Sequence, residues 1–328
     1  MSKCLFCYLE FKEEDLKNEK TAEKMPDFHP ACSKKIFGTK TPPILPYTKN
    51  EISELALDVI RSHTAVTGAQ PKLSLDLEKG EKNAPKRFTI AGLWGKYILK
   101  PQTEAYQNLP EFEDLTMHLA ELSKIKVVPH SLIRFEDGSL CYITKRIDRD
   151  ENGIRINMED MCQLTKRLTE DKYKGSYEQI AKQIQQFSET PGLDLIDFAS
   201  QLIFCFLTGN SDMHLKNFSL IEYENGYKMT EAYDMLPTNI ILPEEDTEET
   251  ALLLNGIKKK ITKEDFEKSF QTMKIDSKSV ENIFKNFKET IPMWFDFIDK
   301  SFLPDEMKEK YKLLIKERAQ RLELLQLI

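Results

Sequence analysis

The spacing of apolar positions changes character near residue 150. Before it, LSLDL (73–77), KRFTIAG (86–92) and WGKYILKP (94–101) are short runs separated by turn residues, and they predict strands. KVVPHSLIRFEDGSLCYITKRID (126–148) predicts two more strands, joined at EDGS. Two helices are expected in the same half. One is NEISELALDVIRSH (50–63). The other is LPEFEDLTMHLAELSKI (109–125), with Pro near its start and Phe112, Leu115, Leu119 and Leu122 on one face. From 155 onward most of the chain has helical periodicity, with one exception at 217–234. Residues 1–40 are charged and carry cysteines, and TPPILPY (41–47) reads as a Pro-rich junction. The pattern predicts an α+β protein: a short Cys/His-containing segment over 1–45, a β-rich part over 46–148 and a helical part over 149–328.

Composition narrows the classes. The chain has 328 residues, 40% of them hydrophobic and only 12 of them Gly, which suits one large or two medium domains with a real core. The net charge of −7 argues against nucleic-acid binding as the main business, though it leaves room for a local basic patch. No run of about 18 apolar residues occurs, so no membrane span is expected. MSKCLFCYLEFKEEDLK has no apolar core followed by a small-residue cleavage site, so no signal peptide is expected. Cys141, Cys162 and Cys205 stand isolated in apolar surroundings and read as buried free thiols, which fits reduced, cytosolic chemistry. Cys4-x2-Cys7 and His29-x2-Cys32 match the spacing of a structural zinc site with a Cys₃His set. The same four residues fit a small metal-free cap equally well.

The densest chemistry lies in GNSDMHLKNFSL (209–220). Asp212 and Asn217 have the aspartate-to-asparagine spacing of a protein-kinase catalytic loop, where the Asp handles the substrate hydroxyl proton and the Asn holds magnesium. That spacing alone is common by chance. The segment that follows, FSLIEYENGYKMTEAYD, has Asn225-Gly226 between strand-like arms, the favoured pair for a type I′ hairpin. A turn at 225–226 pairs residue i with 451 − i and sets Asn217 opposite Asp234, close enough to share a magnesium ion. Singly, each of the three residues reads as an ordinary cap or turn residue; in register they read as a site. A kinase also needs a phosphate loop and a lysine. VTGAQPKLSL (66–75) offers a polar Gly turn before a strand, and Lys100 lies on a strand about thirty residues later. The glutamate that pairs with Lys100 is expected from 110–124, and the helical wheel places Glu111 nearer the apolar face than Glu113.

The motifs VTGAQPKLSL, YILKP, EFEDLTMHLAEL, ITKRIDR, EDMCQL, LTGNSDMHLKNFSL, EAYDMLPT and LLLNGIKKKITKEDF stand in the order found in the HipA family of bacterial toxin serine/threonine kinases. They span roughly residues 55–270, and the chain resembles that family. The resemblance implies a two-lobed protein-kinase-like fold that uses ATP and Mg²⁺. Asp212 resembles the catalytic aspartate. Thr67, Gly68, Ala69, Gln70, Pro71 and Lys72 resemble the nucleotide loop, and Lys100 the phosphate-contacting lysine, with Glu113 as its partner. Lys145, Arg146 and Ile147, followed by Asp148, resemble the hinge that receives adenine. His214, Leu215, Lys216 and Asn217 resemble the segment contacting nucleotide and metal, and Tyr233 with Asp234 the second metal-binding element.

Two departures place the chain within the family. Only about fifty residues precede the kinase core, where full-length HipA proteins carry a β domain of roughly a hundred. The chain therefore resembles the short HipT branch, in which a separate small protein, HipS, corresponds to the missing domain. Ala65 occupies the position of the self-phosphorylated HipA serine; the HipT branch has two sites flanking that region, and the resemblance makes Thr67, which corresponds to the second, the expected autophosphorylation site, then Thr64 and Ser62. The resemblance further implies a helix-turn-helix HipB-like antitoxin, a glutamyl- or tryptophanyl-tRNA synthetase as substrate, and a bacterial cytoplasmic location. The rival readings are a catalytically silent antitoxin-binding module and a kinase exported to act in a host cell.

Overall fold

The computed structural model describes residues 3–12, 26–52, 54–55, 72–78, 85–91, 94–242 and 248–325. The chain forms two compact units. The first holds Met1–Asp114, Val128–Ile154 and Lys300–Phe302; the second holds Leu115–Val127, Arg155–Asp299 and Leu303–Ile328.

In the first unit, helix α1 (Pro30–Phe37) precedes strands β1 (Leu73–Leu77), β2 (Phe88–Ile90) and β3 (Tyr97–Pro101), helix α2 begins at Leu109 and runs to Leu122, and strands β4 (His130–Arg134) and β5 (Leu140–Lys145) complete the set. The five strands form one antiparallel sheet in the order β2-β1-β3-β5-β4. Leu73 and Leu75 are buried on β1 while Ser74 is half-buried, the alternation of a strand with one face toward a core. β4 and β5 are buried almost continuously, β5 through the apolar Cys141, Tyr142 and Ile143, and β4 with the polar His130 and Ser131 buried beside Leu132 and Ile133. Phe37, Phe88 and Tyr97 pack edge-on or tilted, with centroids 5.3–6.3 Å apart, and tie α1 to the sheet.

The second unit adds strand β6 (Met158–Asp160), the short α3 (Met161–Leu164), α4 (Tyr177–Phe187), α5 (Pro191–Leu207), strands β7 (Ser219–Tyr223) and β8 (Gly226–Met229), the short α6 (Thr238–Ile241), α7 (Lys263–Thr272), α8 (Ser277–Lys300) and α9 (Asp305–Arg321). β6, β7 and β8 form a three-stranded antiparallel sheet. α5 is apolar through its second half and buried from Leu202 to Leu207, so it is a core helix rather than an amphipathic one. Trp294 on α8 is fully buried, lies edge-on to Phe204 at 5.4 Å, and donates its indole N–H to Ser123 Oγ at 3.0 Å. No helix among the described residues is long and apolar enough to cross a membrane.

Two sequence expectations change, and a third is described only in part. The helix predicted over 50–63 is described only at its start, and 56–63 lie outside the described residues. α2 does not bury a single apolar stripe: Glu113, Asp114, Thr116 and His118 are also buried, whereas Leu122 is only half-buried. The hairpin register is not the expected one. Leu220 faces Met229 and Tyr223 faces Gly226, so residue i pairs with 449 − i, and Glu224-Asn225 make the turn. Asn225 stays out of the left-handed region that a type I′ turn demands of both central residues; Gly226 alone has positive φ, at +145°. A Cβ on Gly226 would fall 2.2 Å from Glu189 Oε1, and the Glu189 N–H donates to the Tyr227 carbonyl at 2.8 Å. Gly226 is thus the first residue of β8, paired with Tyr223, and not a central turn residue.

Candidate active site

Lys100 and Glu113 come from the centre of the first unit's sheet and from the first turns of α2. Lys100 is the fourth residue of β3, paired with Tyr142 of β5. Its side chain is inward and only 3% exposed; Glu113 is 0% exposed, and the two form an ion pair. The ammonium also sits 5.4 Å from the centre of the Tyr142 ring. A buried ammonium is tolerated only with such partners. Glu111 is half-buried, and burial pushes its carboxyl above the usual glutamate range. The structure thus resolves the choice between the two glutamates in favour of Glu113.

At the end of β5, the Lys145 N–H donates to the Pro129 carbonyl and the Arg146 N–H to the Lys96 carbonyl, both at 2.8 Å. Lys145 itself is exposed, and Ile147 is half-buried. Asp148 accepts two bonds from the Arg146 guanidinium (2.8 and 2.6 Å) and one from Arg149 at 2.7 Å. Burial works to raise the Asp148 carboxyl, but the hydrogen bond and charge of Arg146, with Arg149, outweigh it and hold the group below the ordinary aspartate value.

In the second unit, α5 stops in a Schellman motif. Gly209 takes φ +71°, the Asn210 N–H returns to the Cys205 carbonyl (2.8 Å) and the Gly209 N–H to the Phe206 carbonyl (3.1 Å). This turn delivers Asp212 half-buried, with its N–H on Asn210 Oδ1. The Tyr173 hydroxyl donates to Asp212 Oδ1 at 2.6 Å. The same ring lies edge-on to His214 at 5.0 Å. His214 caps a 3-10 turn over Leu215–Asn217, and its Nδ1 accepts the Lys216 N–H. Burial drives its pKa down, against the opposing charges of Asp212 and Asp234, so the ring is neutral, as an accepting Nδ1 requires. Leu215 is fully buried and anchors the turn. Lys216 Nζ reaches Asp160 Oδ2 at 2.6 Å.

Asn217 is buried, and its Nδ2 points to Met213 Sδ at 3.6 Å; among the described residues nothing donates to its Oδ1. Asp234 is reached another way than by hairpin pairing. The Ala232 N–H donates to the Lys126 carbonyl in a parallel bridge, Tyr233 hydrogen-bonds Ser219 Oγ (2.7 Å) and the Lys216 carbonyl (3.0 Å), and Asp234 then turns into the left-handed region at φ +60°. Strained backbone of this kind persists only where surroundings enforce it. His214 is within electrostatic range of both Asp212 and Asp234, so the two carboxylates and the asparagine flank one short segment. An amide oxygen with a carboxylate oxygen is a hard donor set that suits magnesium.

Thr67 to Pro71, together with Ser62 and Thr64, lie outside the described residues; Lys72 is described and exposed. The N-terminal set does converge. One ligand atom each from Cys4, Cys7, His29 and Cys32 lie within 4.8 Å of one another. Sequence reasoning missed Tyr173 and the role of Asp160. EDMCQL contained Asp160 without marking it, and Tyr173 sits in a polar connection with no pattern to single it out.

The sheet, the buried lysine–glutamate pair and the Asp-x4-Asn loop define a protein of the protein-kinase-like class. The chain matches the HipA-like C-terminal domain over residues 64–295 and belongs to that family. It is 27% identical over 283 residues to a provisionally named kinase of Haemophilus influenzae, covering 83% of this chain and 79% of that protein. It is 28% identical over 197 residues to the serine/threonine-protein kinase toxin HipA of Shewanella oneidensis, covering 54% of this chain and 43% of the toxin. The fold resembles Shewanella oneidensis HipA as solved with HipB and its operator DNA, with a TM-score of 0.65 at 19% identity, over 85% of this chain and 72% of that one. The chain thus spans less than half of the curated toxin's length.

Proposed function

We propose that this protein is an ATP- and magnesium-dependent serine/threonine protein kinase, the toxin of a toxin–antitoxin system. The buried Lys100–Glu113 pair carries the reading. A fully desolvated ion pair contributes little net stability, but it fixes an ammonium in one place, which phosphate positioning needs. In this reading ATP supplies the phosphoryl group and magnesium neutralises its charge. Lys100 contacts the phosphates, Asn217 and Asp234 hold the metal, and the backbone of 145–147 receives the base. Asp212, its carboxylate oriented by Tyr173, accepts the proton of the attacking serine or threonine hydroxyl. His214 stays neutral and fixes the turn that presents Asn217.

Residues 46–148 serve as the N-lobe and 149–328 as the C-lobe of this kinase, with 1–45 as a separate N-terminal segment. Thr67 to Lys72 form the nucleotide loop, and Thr67 is the autophosphorylation site, followed by Thr64 and Ser62. The toxin belongs to the HipT branch, acts in the bacterial cytoplasm on an aminoacyl-tRNA synthetase, and is neutralised by a HipB-like repressor with a HipS-like protein. The HipB complex of the Shewanella relative supports the first of these partners. The test is phosphoryl transfer from labelled ATP, alongside growth inhibition on induction. Asp212→Asn and Asp234→Asn are each expected to abolish both; retention of both by the two variants would sink the kinase reading.

A further inference from the structure

The N-terminal segment contributes a second constellation that phosphoryl transfer does not use. Cys4 and Cys7 lie on a tight turn: the Cys4 N–H donates to the Leu9 carbonyl (2.9 Å), the Tyr8 N–H to the Cys4 carbonyl (3.0 Å), and Lys3 bridges Glu10. His29 occupies the N-cap of α1, and Cys32 stands in its first turn. Cys7 Sγ is 3.5 Å and Cys32 Sγ 3.9 Å from His29 Nδ1, and the His29 N–H donates to Cys4 Sγ at 3.4 Å. A tetrahedral zinc ion with Zn–S of ~2.3 Å and Zn–N of ~2.0–2.1 Å sets S···N at about 3.5 Å and S···S at about 3.8 Å. Two of the three S···N separations lie close to that value, and all four atoms lie within 4.8 Å of one another, so they converge on one point. Three sulfurs and one imidazole fill every position, so the set is a closed, structural one.

What the turn holds is as informative as what it encloses. Tyr8 follows Cys7 directly and is forced to φ +62°, which costs a tyrosine roughly 1–2 kcal/mol. Its ring is 2% exposed and lies edge-on to Phe302 at 5.0 Å. Its hydroxyl donates to Asp114 Oδ2 at 2.7 Å, while His130 Nδ1 meets the other oxygen, Oδ1, at 2.7 Å. Leu5, inside the turn, accepts from Ser131 Oγ on β4 at 3.3 Å. Asp114 is the residue after Glu113 on α2.

We infer that Cys4, Cys7, Cys32 and His29 Nδ1 bind one structural zinc ion, and that the closed knuckle uses Tyr8 to hold Asp114 and so position the turn of α2 that carries Glu113. Tyr8 and Asp114 are positioning residues, since neither touches a reacting group. The test begins with the full chain purified without added metal. Elemental analysis is expected to find about one zinc per chain. Cobalt exchanged for it is expected to show the thiolate charge-transfer and visible bands of a tetrahedral site. Cys7→Ser with Cys32→Ser is expected to remove the metal, and chelation followed by zinc readdition gives the same comparison should that variant fail to fold. Tyr8→Phe separates the two halves of the inference. It is expected to keep its zinc and yet speed amide exchange at residues 112–116 roughly tenfold, the loss of one buried hydrogen bond to a carboxylate. Folded protein without zinc, its three N-terminal thiols freely titrating or joined in a disulfide, would overturn the metal site. Unchanged exchange in zinc-loaded Tyr8→Phe would overturn the positioning role.

Discussion

Removing the carboxylate opposite Lys100 tests both the stability and the chemistry of the first unit. Lys100 is 3% exposed and Glu113 0%, so neither charge has water to fall back on. In Glu113→Gln the ammonium loses its buried counter-charge, while the Tyr142 ring stays at 5.4 Å. Breaking a buried pair on one side costs about 3–5 kcal/mol, of which a desolvated ring contact offsets up to about 2 kcal/mol. Urea unfolding followed by circular dichroism would register this as a lower midpoint. With a slope of about 2 kcal/mol per molar, the net loss of roughly 1–5 kcal/mol is a shift of roughly 0.5–2.5 M. Replacing both partners by apolar side chains of similar size, Lys100→Met with Glu113→Leu, removes the stranded charge and is expected to recover most of the loss. Phosphoryl transfer should not recover with it, because the phosphate-contacting ammonium is gone. A Glu113→Gln protein within about 1 kcal/mol of wild type would refute the energetic argument. A double variant that regains transfer would refute the role given to Lys100.

Tyr173→Phe removes the hydroxyl that donates to Asp212 Oδ1 while keeping the ring against His214; kcat should fall roughly tenfold with KM nearly unchanged, and an unaltered kcat would show that the bond does not orient the carboxylate. Asp148 titrates below its ordinary value in the folded protein, so its contribution to stability is present above that value and is lost as pH falls through the folded pKa. Asp148→Asn should therefore be less stable at neutral pH and converge on wild type as the pH falls through and below the ordinary aspartate range in acid-unfolding curves; parallel curves would count against the arginine pairing.

The local parts of this protein are written in its sequence. Strand alternation at Leu73 and Leu75 and the apolar run of α5 separated a sheet-bearing part from a helical one. The spacing of Asp212 and Asn217 and the paired Cys/His spacings needed no partner from elsewhere to be seen, because each lies within one turn or loop. The contacts between segments were another matter. A helical wheel favours Glu111 because it weighs apolarity alone, whereas the structure buries Glu113 against a lysine thirteen residues earlier in the chain. Asn225-Gly226 reads as a turn, yet Gly226 pairs with Tyr223 inside the ladder, next to Glu189 from thirty-seven residues away, and the register differs by two. Tyr173 reaches Asp212 and Tyr8 reaches Asp114 across separations of 39 and 106 residues. Periodicity reports which way a side chain faces within its own element. Which buried polar group it meets is decided by the segment that arrives there, and the cost of leaving such a group unpaired makes that meeting obligatory.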